Sequence, residues 1–284
     1  MSRVAVIGTG LLGSGFVEGM LARGGSEIVV WNRTRAKAEP LAALGATIAD
    51  SIEAAVANVD RVHVLLLDDD TVDEAVQSMH GAVRPGTVIV DHTTTRPDRT
   101  AQRMAALDAA GLDYLHAPVM MGPPAARSAR GIMMVSGPLE RFTRVRDELA
   151  RMTADLWYLG ERPDLAAVYK LCGNAVILSM VGVLADVFHL ADNCRVPRTD
   201  IIRIFDKVSA QGVIDTRGVR MVEEDFTPLF HLDVARKDLR LMQEASAGVQ
   251  VPMLDALASH MEALMAEGLG EQDVAVLGRK LDRA

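Results

Sequence analysis

A lysine and an asparagine stand four residues apart in a stretch that is otherwise almost wholly apolar. The stretch covers residues 163–194, and no charged side chain occurs between Leu171 and Ala185. A spacing of four puts Lys170 and Asn174 on the same face of a helix. A helix that is apolar on all sides is normally buried, and an ammonium held there costs desolvation energy unless a partner or a reaction compensates. We predict a long helix that joins two domains and presents Lys170 to a site between them.

The overall composition is typical of a folded chain that is long enough for two domains. Of its 284 residues, 49% are hydrophobic and 24% are charged, and acidic and basic side chains are interspersed with a formal net charge of -8. Because there is no basic block, neither nucleic acid nor an anionic membrane is expected as a partner. The uncharged part of the long helix is shorter than the roughly 20 residues of a membrane span, so we predict no membrane partner.

Two further features indicate a cytoplasmic protein. The N-terminal residues enter a strand pattern directly and lack the layout of a signal peptide. The two cysteines, Cys172 and Cys194, are too far apart along one helix to form a disulfide, which is typical of a reducing compartment.

A glycine-rich turn follows the first predicted strand, Arg3–Ile7. A helical segment at 14–23 and a second strand, Glu27–Trp31, come after the turn. In such a unit the first glycine allows the tight turn, the second lets backbone approach a pyrophosphate, and the third packs helix against strand, while the helix N-terminus faces the phosphates. The order of elements therefore predicts dinucleotide binding by Gly8, Thr9, Gly10, Leu11, Leu12 and Gly13.

The residues that end the second strand indicate which dinucleotide is favoured. An acidic side chain there would bond the ribose of NAD, but this chain has Asn32, Arg33, Thr34 and Arg35. Arginine makes bidentate, charge-assisted contacts to phosphate. The alternative is a solvated turn in which Thr34 caps a helix. We favour NADP over NAD, with Asn32, Arg33 and Thr34 as cofactor contacts.

Strands alternate with helices up to about residue 159. Because open α/β sheets bind ligands at the carboxyl ends of their strands, Leu67 and Thr94 are predicted to line the cofactor site. Three adjacent acids, residues 68–70, cannot easily converge on one metal ion, so we predict a solvated loop and a helix N-cap there and no metal site. The later predicted strands are 61–67, 87–90, 112–115, 131–135 and 156–159.

Strand patterns then stop, and only helical patterns follow. Residues 160–164 mark the change. We predict a Rossmann-type, NADP-binding α/β domain at 1–162 and an all-helical substrate and oligomerisation domain at 163–284, joined by the long helix. The predicted helices after the long one are 198–208, 212–223, 233–247, 252–267 and 272–281.

Several separate motifs make the chain resemble the β-hydroxyacid dehydrogenase family, which includes 3-hydroxyisobutyrate dehydrogenase and glyoxylate/succinic semialdehyde reductases. The motifs are GTGLLG, VDHTTTRP, HAPVMMG, YKLCGN, ARKDLRLM and GEQDVAVL, and they are spread over essentially the whole chain. The resemblance implies a nucleotide domain of the 6-phosphogluconate dehydrogenase type and a helical domain, with the active site in the cleft between them. It also implies an NADP(H)-dependent enzyme that interconverts a β-hydroxy acid-like alcohol and its aldehyde or ketone.

The resemblance further implies roles for individual residues. The lysine that matches Lys170 donates a proton to the carbonyl oxygen during reduction and takes it back during oxidation. The residue that matches Asn174 hydrogen-bonds the substrate, Lys237 contributes near the cofactor, and Asp238 lies beside it at the substrate. An ammonium suits this chemistry, since hydride transfer to a carbonyl leaves negative charge on oxygen.

The loop at 120–122 departs from the family pattern. A serine followed by two glycines usually holds a substrate carboxylate there, whereas this chain has Met120, Met121 and Gly122. Thioethers offer no strong donor to a carboxylate. We keep these three residues as predicted substrate contacts and expect a larger or less polar carbonyl compound, with Arg127 or Arg130 as other groups able to hold a carboxylate.

Two other functions remain open. An imine reductase is similar in fold and also favours an Asn-Arg-Thr strand end, but such enzymes generally lack the helix lysine. A catalytically silent, cofactor-binding interaction module would lack it too. The many apolar helical faces predict a homodimer or homotetramer, because a lone domain would expose large apolar patches.

Overall fold

The computed structural model describes residues 2–281, and the chain divides into two compact units, Met1–Asn174 and Ala175–Ala284. The long helix around Lys170 begins in the first unit and ends in the second. The predicted boundary at 162–163 falls just before this helix and stays a prediction.

The first unit is built on one mostly parallel sheet. Its strands are β1 (Ser2–Ile7), β2 (Ser26–Trp31), β3 (Thr47–Ile48), β4 (Arg61–Val64), β5 (Val88–Asp91), β6 (Asp113–His116), β7 (Val119–Met120), β8 (Ile132–Ser136) and β9 (Asp155–Gly160). They lie in the order β3-β2-β1-β4-β5-β6-β8-β7, and β9 pairs with β8. Neighbours from β3 to β6 are parallel, whereas β8 is antiparallel to β6 and β7 and parallel to β9. The predicted Rossmann-type fold is confirmed.

Helices cover both faces of this sheet. They are α1 (Leu11–Arg23), α2 (Glu39–Ala42), α3 (Ile52–Val56), α4 (Asp69–Met79), α5 (Pro97–Ala109), α6 (Pro123–Arg127) and α7 (Leu139–Ala150), with a 3₁₀ turn at Arg35–Lys37. The first unit also contains the start of α8 (Leu165–Asn193). Alternate residues of β1 point to opposite faces. Val4 and Val6 therefore pack with Phe16 of α1 in one core, and Ala5 and Ile7 pack with α3 and α4 in another.

Local differences from the predicted elements have simple causes. The strands β3 and β7 were not predicted, since two residues are too few to show alternation. The predicted strand at 61–67 ends at Val64, after which the chain turns toward Asp68. The predicted N-cap is confirmed, because Thr71 N donates to the Asp68 carboxylate at 3.0 Å. Asp69, in contrast, is buried and not solvated, since Arg103 donates to it at 2.8 Å.

The second unit is helical, as predicted. After α8 come α9 (Arg198–Ile201), α10 (Ala210–Val213), α11 (Val219–Glu223), α12 (Leu232–Ala245) and α13 (Pro252–Ala266), with 3₁₀ turns at Ile202–Asp206 and Val274–Gly278 and a π turn at Ile214–Gly218. The predicted helices at 198–208 and 212–223 are thus broken into short pieces. The prediction of a helix at 272–281 is wrong, because the buried Asp273 side chain accepts a hydrogen bond from Ala275 N at 3.0 Å and starts a short turn instead.

The helix α8 is far more exposed than its apolar composition suggested. Leu178 is 68% exposed and Val181 is 60% exposed within the chain. By length and composition alone, α8 is able to cross a membrane, because the whole helix has 29 residues and is longer than its uncharged part. Only 6% of the most apolar 18-residue stretch of α8 is buried inside the chain. It also carries a buried acid: Asp186 accepts hydrogen bonds from the backbone N–H groups of Met253 and Leu254 at 2.8 and 2.9 Å. This contact fixes the start of α13 on α8.

Candidate active site

The glycine turn after β1 has the close contacts that its sequence predicts. Gly8 has φ 102°, and a Cβ there would lie 2.1 Å from the Leu65 carbonyl oxygen. A Cβ on Gly13 would lie 2.1 Å from the Gly8 oxygen, so this residue lets α1 pack against the turn. The Cβ position of Gly10 has nothing within 4 Å. The turn is therefore tight on its protein side and open where a ligand would approach.

An open cleft of about 730 Å³ lies over this turn. The predicted cofactor residues that line it are Gly8, Gly10, Leu11, Leu12, Gly13, Asn32, Arg33, Thr34, Leu67 and Thr94. Leu11 and Leu67, both above 80% exposed in the chain, offer apolar surface in the cleft. Two predicted contacts do not line it, Thr9 and Lys237.

The cleft fits the phosphates of a dinucleotide. Gly10 is the N-cap of α1, and no acidic side chain lies in the first turn of this helix. Unpaired N–H groups at a helix N-terminus attract anions. Thr9 is buried beside it, and its hydroxyl oxygen has no hydrogen-bond partner among the described residues. The N–H groups at the start of α1 could therefore hold a pyrophosphate, whereas the buried Thr9 side chain does not line the cleft.

Asn32 has a structural task in the cleft. Its side-chain oxygen accepts a hydrogen bond from Thr9 N at 2.9 Å, and its amide nitrogen donates to the Thr34 carbonyl at 2.9 Å. Both ends of the amide are thus used by the backbone. Asn32 ties the glycine turn to the end of β2 and lines the cleft mainly as part of its wall.

Two cations stand at the β2 end of the cleft. Arg33 was predicted there, and Lys37 joins it from the following 3₁₀ turn. In the part of the chain that the structure describes, neither forms an ion pair, whereas Arg35 is paired with Asp50 at 2.6 Å. The sequence pattern did not identify Lys37, because the strand-end motif stops before it, whereas the 3₁₀ turn at Arg35–Lys37 brings it to the wall of the cleft.

The loop after β5 is held by buried polar contacts at the opposite end of the cleft. Thr93 N donates to the Asp91 carboxylate at 2.8 Å, and Thr93 Oγ1 accepts from Leu66 N at 3.0 Å. Tyr114 donates its hydroxyl to Asp91 at 2.7 Å. Burial and the Asp91 carboxylate both raise the pKa of Tyr114 well above its usual value, which keeps the phenol protonated. The loop therefore presents Thr94 from a fixed base.

A chain of hydrogen bonds runs from Arg61 beneath this loop. Arg61 Nε donates to His63 Nε2 at 3.0 Å, His63 Nδ1 lies 2.8 Å from His92 Nε2, and His92 Nδ1 lies 2.7 Å from the Ala117 oxygen. Arginine only donates and a carbonyl only accepts, so each imidazole carries one proton, on Nδ1. Burial lowers the pKa of His92 to about 4 and that of His63 well below its usual value. Both rings are neutral.

Lys170 lies near a second group of residues in the first unit. Its ammonium donates to the Val119 carbonyl at 2.8 Å and to Asn174 Oδ1 at 3.0 Å, and it lies 3.5 Å from Met120 Sδ. The pairing of β7 with β8 positions the two β7 residues, and one turn of α8 positions the other two. Burial lowers the pKa of Lys170. The predicted juxtaposition of Lys170 with Asn174 and Met120 is present.

The other predicted contacts have surroundings of their own. Met121 follows β7 directly and packs against the core of the first unit, whereas Met120 reaches Lys170. Gly122 precedes α6 and caps it through its backbone. Lys237 and Asp238 lie on α12 in the second unit, where they form an exposed pair with each other at 2.7 Å. Arg127 is paired with Glu18, so it is engaged outside this group. The roles of these residues stay predictions.

Both parts of the chain match known protein families. Residues 3–160 match the model described as the NAD binding domain of 6-phosphogluconate dehydrogenase, and residues 165–280 match the NAD-binding model of NADP-dependent 3-hydroxyisobutyrate dehydrogenase. The chain belongs to the β-hydroxyacid dehydrogenase family. The resemblance drawn from the motifs is therefore confirmed, and the protein is an enzyme, an oxidoreductase that depends on a nicotinamide dinucleotide.

Individual relatives carry different names. The chain is 24% identical over 291 residues to glyoxylate/succinic semialdehyde reductase 2 of Arabidopsis thaliana, covering 99% of this chain and 80% of that protein. It is 31% identical over 183 residues to the NADH-dependent oxidoreductase ucdB of Aspergillus ustus, covering 64% of this chain and 62% of that protein. A solved imine reductase from Myxococcus stipitatus, in complex with NADP+, is similar in fold with a TM-score of 0.88 at 24% identity, over 97% and 98% of the two chains.

Proposed function

We propose that the enzyme uses NADPH to reduce a carbonyl compound to an alcohol, reversibly, with Lys170 as the general acid and base. The observation that carries this proposal is the Lys170 ammonium, half-buried and held by the Val119 carbonyl and Asn174. Bound NADPH supplies the hydride. As the carbonyl carbon gains that hydride, its oxygen gains the electron pair of the C=O bond and takes a proton from Lys170 Nζ. In the direction of oxidation the neutral amine takes the proton back.

The surroundings of Lys170 suit a group that must lose and regain a proton. A solvated lysine has a pKa near 10.4, too high for efficient exchange close to neutral pH. Burial lowers the pKa of Lys170, and the two oxygen acceptors orient the ammonium so that it does not turn away. Asn174 is proposed to contact the substrate as well, while Lys237 and Asp238 are proposed to contribute near the cofactor and the substrate.

NADP is the proposed cofactor, with NAD less favoured. Arg33 and Lys37 stand together at the β2 end of the cleft, where the adenosine ribose of a dinucleotide lies in this fold. Two cations that form no ion pair within the described residues match a 2′-phosphate. The solved imine reductase with NADP+ supports this choice, whereas the NADH-dependent relative is the reason that we propose a direct test.

A carbonyl substrate is favoured over an imine by charge. Imine reduction proceeds through a cationic iminium, and an ammonium beside an iminium would destabilise it. A carbonyl oxygen, in contrast, develops negative charge that Lys170 stabilises. The similarity to the solved imine reductase is a similarity of fold, and the charge on Lys170 favours the carbonyl reaction. The substrate is proposed to be larger or less polar than glyoxylate, since Met120 and not a hydroxyl lies beside Lys170.

We further propose a water-soluble, cytoplasmic homodimer or homotetramer. In the second unit the apolar side chains of α8 are exposed, and an exposed apolar surface of this kind is typical of protein interfaces. The buried carboxylate of Asp186 on the same helix supports packing against protein, because an ionised group in a spanning helix is costly.

The central test is NADPH oxidation over a panel of aldehydes and ketones with the wild type and Lys170→Ala. General acid catalysis contributes about 10²- to 10⁴-fold, so kcat should fall by roughly that factor. Lys280→Ala, at an exposed lysine paired with Glu224, is the matched control and should keep full activity. Unchanged activity of Lys170→Ala would reject the mechanism. A strong preference for glyoxylate over bulkier aldehydes would reject the substrate class alone.

A further inference from the structure

The third acceptor at Lys170 is a sulfur atom. An ammonium has three hydrogens to donate. At Lys170 two of them have oxygen acceptors, at 2.8 and 3.0 Å, and the third points to the thioether sulfur of Met120 at 3.5 Å. All three hydrogens therefore have partners before any substrate arrives. A thioether is the weakest of the three acceptors, so it is the one that a ligand displaces most easily.

A glycine on α8 makes room for this methionine. A Cβ on Gly173 would lie 2.1 Å from the Met120 methyl carbon and 3.5 Å from its sulfur. The methyl group thus lies directly against the backbone of the helix that carries Lys170. Any larger residue at 173 would force the methionine side chain away, while the flexible end of that side chain can move at low cost.

We infer that Met120 occupies the position of the substrate oxygen on Lys170 and must turn away for substrate to bind, which makes it a specificity-determining residue of this enzyme. The inference rests on the proposed function, since it requires Lys170 to bond the substrate. The Met120 sulfur is a weak intramolecular acceptor for the Lys170 ammonium. A ligand takes its place by offering a better acceptor, such as a carbonyl oxygen. The displaced thioether then provides apolar contact, which favours a neutral carbonyl compound over a carboxylate.

The first variant removes the sulfur and keeps the volume. Leucine and methionine exchange with little change in packing. In Met120→Leu the third hydrogen of Lys170 has no acceptor in the free enzyme, so a substrate oxygen has no competitor. We expect the KM for the fastest aldehyde of the panel to fall by about two- to fivefold, with kcat within about twofold of the wild type.

The pH dependence of the kinetic constants distinguishes displacement of the Met120 sulfur by substrate from a purely structural effect of the substitution. Loss of an acceptor for the charged form lowers the pKa of Lys170 further in the free enzyme. The alkaline limb of kcat/KM for reduction, which reports the free enzyme, should move down by about half a pH unit in Met120→Leu. The alkaline limb of kcat, which reports the complex, should not move, because the sulfur is already displaced there.

A second variant changes the contact between Met120 and Lys170 through a substitution on α8. Gly173→Ala should displace the methyl group of Met120 and reproduce the shift of the kcat/KM limb. In the background of Met120→Ala, which has no side chain to displace, Gly173→Ala should change nothing further. An effect of Gly173→Ala that is the same in both backgrounds would show that it acts through α8 and would overturn the inference.

A measurement on the free enzyme keeps this inference separate from the reaction itself. The pH midpoint for acetylation of Lys170 by acetic anhydride, read by peptide mass spectrometry, should fall by about half a unit in Met120→Leu. Acetylation of Lys280 in the same digest serves as the internal control. Equal midpoints in wild type and variant, or equal shifts in both kinetic limbs, would overturn the inference. An inactive enzyme with the expected midpoint shift would instead count against the proposed reaction.

Discussion

The two units of the chain differ in how completely they bury their apolar residues. In the first unit, successive side chains along the strands point into two cores on opposite faces of one sheet. Buried polar groups at the strand ends, such as Asp91, are hydrogen-bonded. Among its described residues, the second unit has a smaller core, formed mainly by α12 and α13, while apolar side chains of α8 and of its short helices are exposed. A sheet covered on both faces is complete by itself, whereas a helical unit with an open apolar face needs another surface.

The largest expected effect is on assembly. Leu178→Asp and Val181→Asp place carboxylates on the exposed face of α8, and the proposed oligomer should dissociate to chains of 30.6 kDa in analytical ultracentrifugation. Leu44→Asp, at a side chain 55% exposed in the first unit, is the matched control and should leave the assembly intact. If the wild type sediments as a single chain at micromolar concentration, the contrast between the units has another cause.

The second effect concerns the first unit and its cofactor. Arg33→Ala removes a charge-assisted contact to a 2′-phosphate, so the KM for NADPH should rise about 10- to 100-fold, while the KM for NADH changes less than about twofold. Lys37→Ala should act in the same direction. Arg35→Ala is the control, since Arg35 is already paired with Asp50. Equal losses for both cofactors would reject the phosphate assignment and leave Arg33 as a solvated turn residue.

The smallest expected effect is on the pH dependence of the stability of the first unit, which reports on its buried polar contacts. The pKa of His92 is about 4 in the folded chain, against the usual 6.5 in the unfolded chain. Between these values the unfolded chain binds a proton that the folded chain excludes. The contribution of His92 to the free energy of unfolding is therefore fully present above pH 6.5. It is lost as the pH falls toward 4, by up to about 1.4 kcal/mol per pH unit.

His92→Gln keeps one donor and one acceptor and removes the titration, so the acid slope should decrease. Both tryptophans, Trp31 and Trp157, lie in the first unit, so urea unfolding followed by tryptophan fluorescence reports on that unit. His80→Gln at an exposed position is the control and should leave the slope unchanged. An acid slope that is the same in wild type and His92→Gln would show that His92 is not the group responsible.

Local signals made the first unit predictable. The glycine turn at 8–13, the strand ends and the Asp68 cap depend on contacts within about 60 residues of sequence, and each has a characteristic residue type. The pair of Lys170 and Asn174 could be placed together because a helix fixes a spacing of four. These parts needed no knowledge of the remaining chain.

Contacts between distant segments could not be read in this way. The two-residue strand β7 has too few residues to show which side chain faces Lys170, so Met120 and Met121 were treated alike, although one reaches the ammonium and the other the core. Lys37 was missed because a short turn, not a strand, brings it to the cleft. The exposure of α8 was missed because composition reports apolarity but not what covers it.

The hydrogen-bond chain from Arg61 to the Ala117 carbonyl has one permitted polarity from end to end. If either imidazole carried its proton on Nε2 instead of Nδ1, two donors would face each other in one contact and two lone pairs in another. The dipoles of His63 and His92 therefore cannot reorient as those of water molecules do. His92, near the middle of this chain, also lines the cleft. The part of the cleft wall formed by His92 is therefore a fixed dipole, and a fixed dipole needs no reorientation when charge develops beside it.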